Sequence, residues 1–292
     1  MNNNMNIFSK RPTIGLALGS GGARGLAHIG VIKTLEKHNI AIDYIAGTSA
    51  GSIVGSFYAK TKNIGQIEKY IVSKGWWQMI SMLVDPSLHQ GILGGNKTQV
   101  FIEEFLGKEF QYKDFKIPFR AIAVNLKTGM TTAFSEGLVL PTIYASCAIP
   151  MIYKPAFIHN ELYIDGSATS PVPVDTVKKM GADIIIAVNL QKQYSEPDLT
   201  DSTSFLRVAE LSFMLMSHNL SLSEVKKADI VVNPRIEHIH WWKSLLKEDE
   251  KRTGIQLGEL AMDEQIPSLQ IIIKSKQPLI TSLARKIRSA FR

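Results

Sequence analysis

Two glycine-bracketed stretches carry residue types and spacings suited to nucleophilic chemistry. "GTSAG", Gly47-Thr48-Ser49-Ala50-Gly51, fits the pattern G-x-S-x-G. There a sharp strand-to-helix turn lifts the serine hydroxyl clear, and only small neighbours let the two elements approach. A match in isolation can be a plain tight turn, but here an apolar run leads in and a helical pattern leads out. "GSGGARG", residues 19–25, also follows an apolar run and opens a helix. Its free N–H groups and the positive helix end converge on one spot, as the oxyanion of a tetrahedral intermediate requires. Glycines let a substrate oxygen come close to that backbone, and Arg24 can brace the loop or add positive potential.

A serine nucleophile needs a group to take its proton. "LYIDGSATSPVPV" places Asp165 at the end of an alternating stretch, ahead of Gly166 and a small-residue loop. Alone, an Asp-Gly pair is a turn former; beside a serine elbow and a donor loop it becomes a candidate base. The histidines are His28, His38, His89, His159, His218, His238 and His240. The order Ser49, Asp165, then His218 or His238 would formally serve an α/β-hydrolase triad. Against it, Ser49 follows only the second expected strand, and no downstream histidine lies in a glycine-flanked loop. His218 falls within a helical pattern, and "EHIHWW" reads as a packing cluster.

Two nucleotide-binding readings compete for the glycines. A dinucleotide fingerprint G-x-G-x-x-G starting at Gly19 and Gly21 has Arg24 in place of its third glycine, although Asp43 stands about where a ribose-binding acid belongs. It also leaves "GTSAG" unexplained. "GILGGNKT" (91–98) resembles a P-loop, but Asn96 replaces the glycine before the lysine and no strand leads into it. It reads as a loop opening a helix at Lys97.

The elements that must position these groups follow from hydrophobic periodicity. "TIGLALG" (13–19) and "IDYIAG" (42–47) are expected strands, with helices over 26–38 and 52–60. That strand–helix–strand–helix opening is the mark of a layered α/β architecture. Residues 64–110 read as mostly helical, interrupted by the irregular apolar insertion "GWWQMISMLVDPSLHQG". Hairpins are expected over 118–134, turning at Thr128-Gly129, and over 156–166, turning near Asn160. A helix ending at Gly181 and a buried strand follow, and 204–227 suit a helix rich in Leu and Met. No internal repeat and no long linker divides the chain. The expected organisation is a disordered segment 1–11, one α/β domain over 12–273 and a basic C-terminal helix over 274–292.

Composition narrows the classes further. The single cysteine, Cys147, excludes an intramolecular disulfide framework and a multi-cysteine metal site, and dispersed histidines offer no compact ligand set, so no metal or cofactor is expected. The net charge is +7, yet six basic and no acidic residues fall in 274–292, which leaves the body near neutrality and gives no support for nucleic-acid binding. The N-terminal apolar run is too short for a secretory signal, and no apolar stretch approaches the ~20 residues of a spanning helix. A cytoplasmic protein is expected. From Pro278, Ile280, Leu283, Ala284, Ile287 and Phe291 recur at helical spacing opposite Arg285, Lys286, Arg288 and Arg292. Such a helix either docks on the domain or lies on an anionic membrane surface.

Taken together, "GSGGARG", "GTSAG", "DGS" at Asp165, "ASCAIP" and "PVPVDTVKKMGADIIIAVN" make the chain resemble the bacterial patatin-like phospholipases. It is also similar to the catalytic domain of neuropathy-target-esterase-type lysophospholipases. The similarity covers about residues 13–190. It implies a layered α/β/α patatin-like fold with a central, mostly parallel sheet. It further implies acyl-ester hydrolysis of a phospholipid or lysophospholipid by a serine–aspartate dyad without histidine, metal or cofactor. Carried over residue by residue, it implies Ser49 as nucleophile, Asp165 as its activator, and the backbone N–H groups around Gly21, Gly22 and Ala23 as oxyanion hole. Ser167 stands where the family usually has Gly or Ala. Apolar walls for an acyl chain are sought among Trp76, Trp77, Met79, Ile80, Met82 and Leu83. A catalytically silent lipid-binding or scaffold protein of the same fold, and a nucleotide-binding oxidoreductase, remain the alternatives.

Overall fold

The computed structural model describes residues 11–73, 96–191, 200, 203–236 and 248–277. At its centre is a sheet of eight strands: β1 (Ile14–Leu18), β2 (Tyr44–Thr48), β3 (Phe119–Asn125), β4 (Thr131–Phe134), β5 (Ala156–Ile158), β6 (Glu161–Asp165), β7 (Ile184–Val188) and β8 (Ile230–Val232). The order is β5-β6-β3-β2-β1-β7-β8, with β4 paired to β3. Pairs β1–β2, β1–β7, β2–β3 and β7–β8 are parallel, while β4, β5 and β6 join as antiparallel hairpin strands. The expected layered α/β fold with a mostly parallel sheet is the one observed.

Helices cover both faces, as a buried parallel sheet requires. They are α1 (Leu26–Lys37), α2 (Ala50–Thr61), α3 (Ile64–Ser73), α4 (Asn96–Leu106), α5 (Val139–Ser146), α6 (Val174–Lys179), α7 (Phe205–Glu224), α8 (Glu248–Asp263) and α9 (Ile266–Ser275). Strand β1 shows why the two layers differ. Ile14, Leu16 and Leu18 point into the larger core, built with Leu26, Ile29, Ile45, Phe57, Phe101 and Ile143. Gly15 and Ala17 point the other way, where α6 lies so close that a Cβ on Gly15 would stand 2.2 Å from Val177 Cγ1. Large residues on one face and small ones on the other follow from the period of two along a strand.

The hairpins turn as expected: Gly129 (φ 69°) joins β3 to β4, and His159 and Asn160 (φ 49° and 63°) join β5 to β6. The helix expected over 204–227 is α7 followed by a 3-10 turn at Val225–Lys227. The insertion bearing Trp76, Trp77, Met79, Ile80, Met82 and Leu83, the start of the P-loop-like stretch, "EHIHWW", and the helix expected from Pro278 lie outside the described residues. Within the segment expected as a separate basic helix, Lys274 and Ser275 belong to α9.

Four elements had no sequence expectation: helix α5, strand β8 and helices α8 and α9. Helix α8 packs on α1 with its backbone in contact. A Cβ on Gly258 would lie 2.0 Å from the Ala27 carbonyl oxygen, and one on Gly30 2.0 Å from that of Ile255. No helix among the described residues is long and apolar enough to cross a membrane.

Candidate active site

The site grows from the carboxyl ends of adjacent parallel strands, the place where open α/β sheets bind ligands. Register pairs Leu18 of β1 with Gly47 of β2, so the glycine-rich loop after β1 and Ser49 after β2 leave the sheet side by side. On β3, Ile122 pairs with Thr48 and the next residue, Ala123, pairs with Asp165. Asp165, closing β6, is thus brought level with the serine from 116 residues further along the chain.

Ser49 has φ 54° and ψ −123°, a left-handed backbone that a side chain rarely adopts, between β2 and α2. Such strain costs about 1–3 kcal/mol and persists only where surrounding contacts hold it. Here Ser49 N–H donates to Ser146 Oγ at 2.9 Å, and Ser52 N–H and Ser52 Oγ donate to the Ser49 carbonyl at 2.8 and 2.7 Å. The flanking glycines have the steric reason the pattern suggests. A Cβ on Gly47 would sit 2.3 Å from the Gly51 carbonyl oxygen, and one on Gly51 2.2 Å from that of Leu18.

The glycine-rich loop forms a 3-10 turn at Gly22–Gly25 that runs into α1. The first N–H groups of such a turn have no carbonyl within it to bond, which leaves those of Gly22 and Ala23 outside its ladder. Gly21 precedes the turn and Arg24 lies half-buried within it. The turn abuts the elbow: a Cβ on Gly25 would meet Ala50 Cβ at 2.7 Å. Behind it, buried His28 on α1 bonds the Gly19 carbonyl through Nε2 at 2.8 Å. Burial lowers the His28 pKa to about 4, so its ring is neutral near pH 7.

Asp165 is fully buried. Its Oδ1 accepts from Ser167 N–H at 2.8 Å and from Ser167 Oγ at 2.7 Å, whereas Oδ2 has no hydrogen-bond partner. Loss of hydration raises its pKa to about 6, against the pull of the two Ser167 bonds and of the nearby Ser49 hydroxyl. That hydroxyl lies close enough to favour the carboxylate's charge but short of a full bond to Oδ2. Gly166 makes the turn possible, since a Cβ there would lie 2.5 Å from the Ile122 carbonyl oxygen.

All the proposed site residues therefore meet at one end of the central strands, and several partners join them that sequence reasoning did not identify. "ASCAIP" supplies three: Ser146 holds the Ser49 amide, the Ala148 carbonyl accepts Asp165 N–H at 2.9 Å, and the Cys147 thiol lies against Ser49 and Ser52. Burial, then the charge of Asp165, pushes that thiol well above its ordinary pKa. The stretch was visible as a motif, but nothing in its composition revealed its partners. Ser170 joins the elbow by accepting Thr48 Oγ1–H on its carbonyl at 2.8 Å. His218 is placed on α7 with Nδ1 bonded to the Gln191 carbonyl, and Gln191 Nε2 donates to Ser20 Oγ at 2.5 Å. Among the described residues, no three His, Cys, Asp or Glu side chains are grouped to hold a metal ion.

Several known proteins resemble this chain. The family model "Patatin-like phospholipase" matches residues 16–178, more than half of the chain and the stretch that carries both strand ends. An uncharacterized NTE family protein of Mycobacterium tuberculosis is 35% identical over 192 residues, which are 65% of this chain and 52% of that protein. Lysophospholipase NTE1 of Debaryomyces hansenii is 33% identical over 183 residues, 61% of this chain and 12% of that protein. The chain thus spans about half the length of the mycobacterial relatives and a small part of the fungal ones. The crystal structure of VipD from Legionella pneumophila matches in fold, with a TM-score of 0.54 at 12% identity, covering 91% of this chain and 68% of that one. By the extent of the family match, the chain belongs to the patatin-like phospholipases.

Proposed function

We propose that this protein is a lipid acyl-ester hydrolase of the phospholipase A or lysophospholipase type, working through Ser49 and Asp165. One observation carries the reading: a serine on a strained elbow stands beside a buried carboxylate whose second oxygen has no partner. In this mechanism Ser49 Oγ attacks the ester carbonyl while its proton passes to Asp165, directly or through a water. The N–H groups of Gly21, Gly22 and Ala23 hold the oxyanion, with Arg24 bracing their loop. Collapse expels the alcohol, which takes the proton from Asp165 and leaves an acyl-enzyme. Asp165 then draws a proton from water as the water attacks and returns it to Ser49 Oγ as the fatty acid is released. A base with a pKa about 6 is ionised at pH 7 and still close to the proton affinity that general-base catalysis favours.

The reading includes a phospholipid or lysophospholipid substrate and peripheral contact with an anionic membrane surface. Helix α7 supports the contact, because Phe205, Leu206 and Met216 are exposed while the helix buries Ser217 and Ser221. Its buried end reaches the glycine-rich loop through Ser217 Oγ, Gln191 and Ser20. The basic helix expected from Pro278 would add charge attraction of about 1 kcal/mol per residue near the surface.

A fluorophosphonate probe tests the chemistry. Covalent labelling is expected in the wild type and lost in Ser49→Ala. An unlabelled wild type that still binds phospholipid vesicles would favour the silent lipid-binding alternative instead. For the membrane contact, removing residues 279–292 should weaken sedimentation with anionic liposomes far more than hydrolysis of a soluble short-chain ester. An unchanged pellet would rule that helix out as the anchor.

A further inference from the structure

The three motif loops converge on one short segment, Ser170–Val172. The Ser170 carbonyl accepts Thr48 Oγ1–H, one residue before Ser49. The Pro171 carbonyl accepts Ser20 N–H at 2.8 Å, from the glycine-rich loop. Ser170 N–H donates to the Gly166 carbonyl at 2.8 Å, closing the turn that carries Asp165. The segment is thus the place where elbow, donor loop and base turn are tied together.

A side chain from outside these motifs grips it. Glu224, the last residue of α7, accepts Ser170 Oγ–H on Oε1 at 2.6 Å and Val172 N–H on Oε2 at 2.7 Å. It lies beyond the family match, which ends at residue 178. A carboxylate at a helix C-terminus is disfavoured by the macrodipole, so the position is costly unless those two bonds offset it. We propose that Glu224 is a positioning residue for catalysis, holding Ser170–Val172 so that Asp165, Ser49 and the glycine-rich loop keep their mutual register. The inference rests on the hydrolase reading above.

The chemistry of the clamp sorts the substitutions. Glu224→Gln keeps both bonds, since the amide oxygen accepts Val172 N–H and the amide nitrogen donates to Ser170 Oγ. Glu224→Ala leaves both partners without an acceptor. Burial raises the Glu224 pKa to about 7 and Asp175 adds to the rise, while the bonds from Ser170 and Val172, and then Lys227, oppose it. A protonated Glu224 pairs as the glutamine does, so its titration leaves the clamp closed, and the acid limb of activity belongs to Asp165.

The test is the rate constant of Ser49 labelling by a fluorophosphonate in the full chain, with kcat and KM for a soluble short-chain ester and thermal unfolding recorded alongside. Glu224→Gln should label within about threefold of wild type and keep its acid limb. Glu224→Ala should label at least tenfold more slowly, with kcat falling and KM nearly unchanged. Ser170→Ala, which removes one of the two bonds, should fall between them and serves if Glu224→Ala does not fold. A merely structural role would reduce the fraction labelled and leave the rate constant of the folded fraction intact, which would overturn the proposal. So would a glutamine variant as slow as the alanine one, or a Ser170→Ala rate equal to wild type should Glu224→Ala not fold. An unlabelled wild type would instead remove the hydrolase reading, and this inference with it.

Discussion

The Ser167 hydroxyl donates to Asp165 Oδ1 at 2.7 Å, beside the 2.8 Å bond from its own N–H, and Oδ2 is left without a partner. Ser167 occupies the place where the resemblance leads one to expect Gly or Ala. The exchange adds a donor to the charged form of the base.

Ser167→Ala tests that bond through pH. The hydroxyl favours the ionised carboxylate, so removing it raises the Asp165 pKa above its present value of about 6. A hydrogen bond to a charged group of about 1.5 kcal/mol corresponds to about one pH unit. The acid limb of kcat/KM should therefore move to higher pH by about that much, with activity above pH 8 largely kept. A limb that stays in place or moves down would count against Asp165 as the base.

Ser49 separates chemistry from stability. Ser49→Ala should lower ester hydrolysis on the order of 10⁴-fold or more. Ser49→Gly should be equally inactive yet more stable by about 1 kcal/mol, because glycine adopts φ 54° without strain. Chemical denaturation of the two variants and wild type measures the difference. An active glycine variant would end the assignment.

Asp165→Asn should abolish activity and change the pH dependence of stability. The folded pKa, about 6, lies above the ordinary 3.8, so between these values the folded state binds the proton more tightly. Stability then falls as pH rises through that window, with the full cost, on the order of 2–3 kcal/mol, present above pH 6. Asparagine carries no such cost. Relative to wild type it should gain stability between pH 4 and pH 7 in thermal unfolding; a constant difference would show that Asp165 is not held at a raised pKa.

Gly258→Ala probes the contact between α1 and α8. The added methyl would sit 2.0 Å from the Ala27 carbonyl oxygen, backbone that cannot turn aside as a side chain could. Overpacking of this kind costs about 1–3 kcal/mol, read as a lower urea midpoint. Gly107→Ala is the control for space, since nothing lies within 4 Å of a Cβ there, although its φ of 89° carries its own strain. A midpoint unchanged by Gly258→Ala would mean that the helices can separate freely.

The sequence by itself determined the local parts of this protein. The glycines of "GTSAG" and the Asp165-Gly166 turn are legible because their demands are steric and lie within a few residues. The strands β1, β2 and β7 are legible because buried parallel strands are short apolar runs, and the two hairpins because their turn residues take positive φ. Tertiary structure alone decided the partners of those parts. The Ser49 amide meets Ser146 across 97 residues, and Ser170 meets Glu224 across 54. No spacing rule reaches that far, because such contacts follow from strand order and register. Helix α7 inverts the usual pattern, burying Ser217 and Ser221 while Phe205 and Leu206 are exposed, so periodicity marks a helix but points to the wrong face. Helix α8 escapes for a related reason: it meets α1 through Gly258 and Gly30, and a close backbone approach leaves little apolar signature in a sequence.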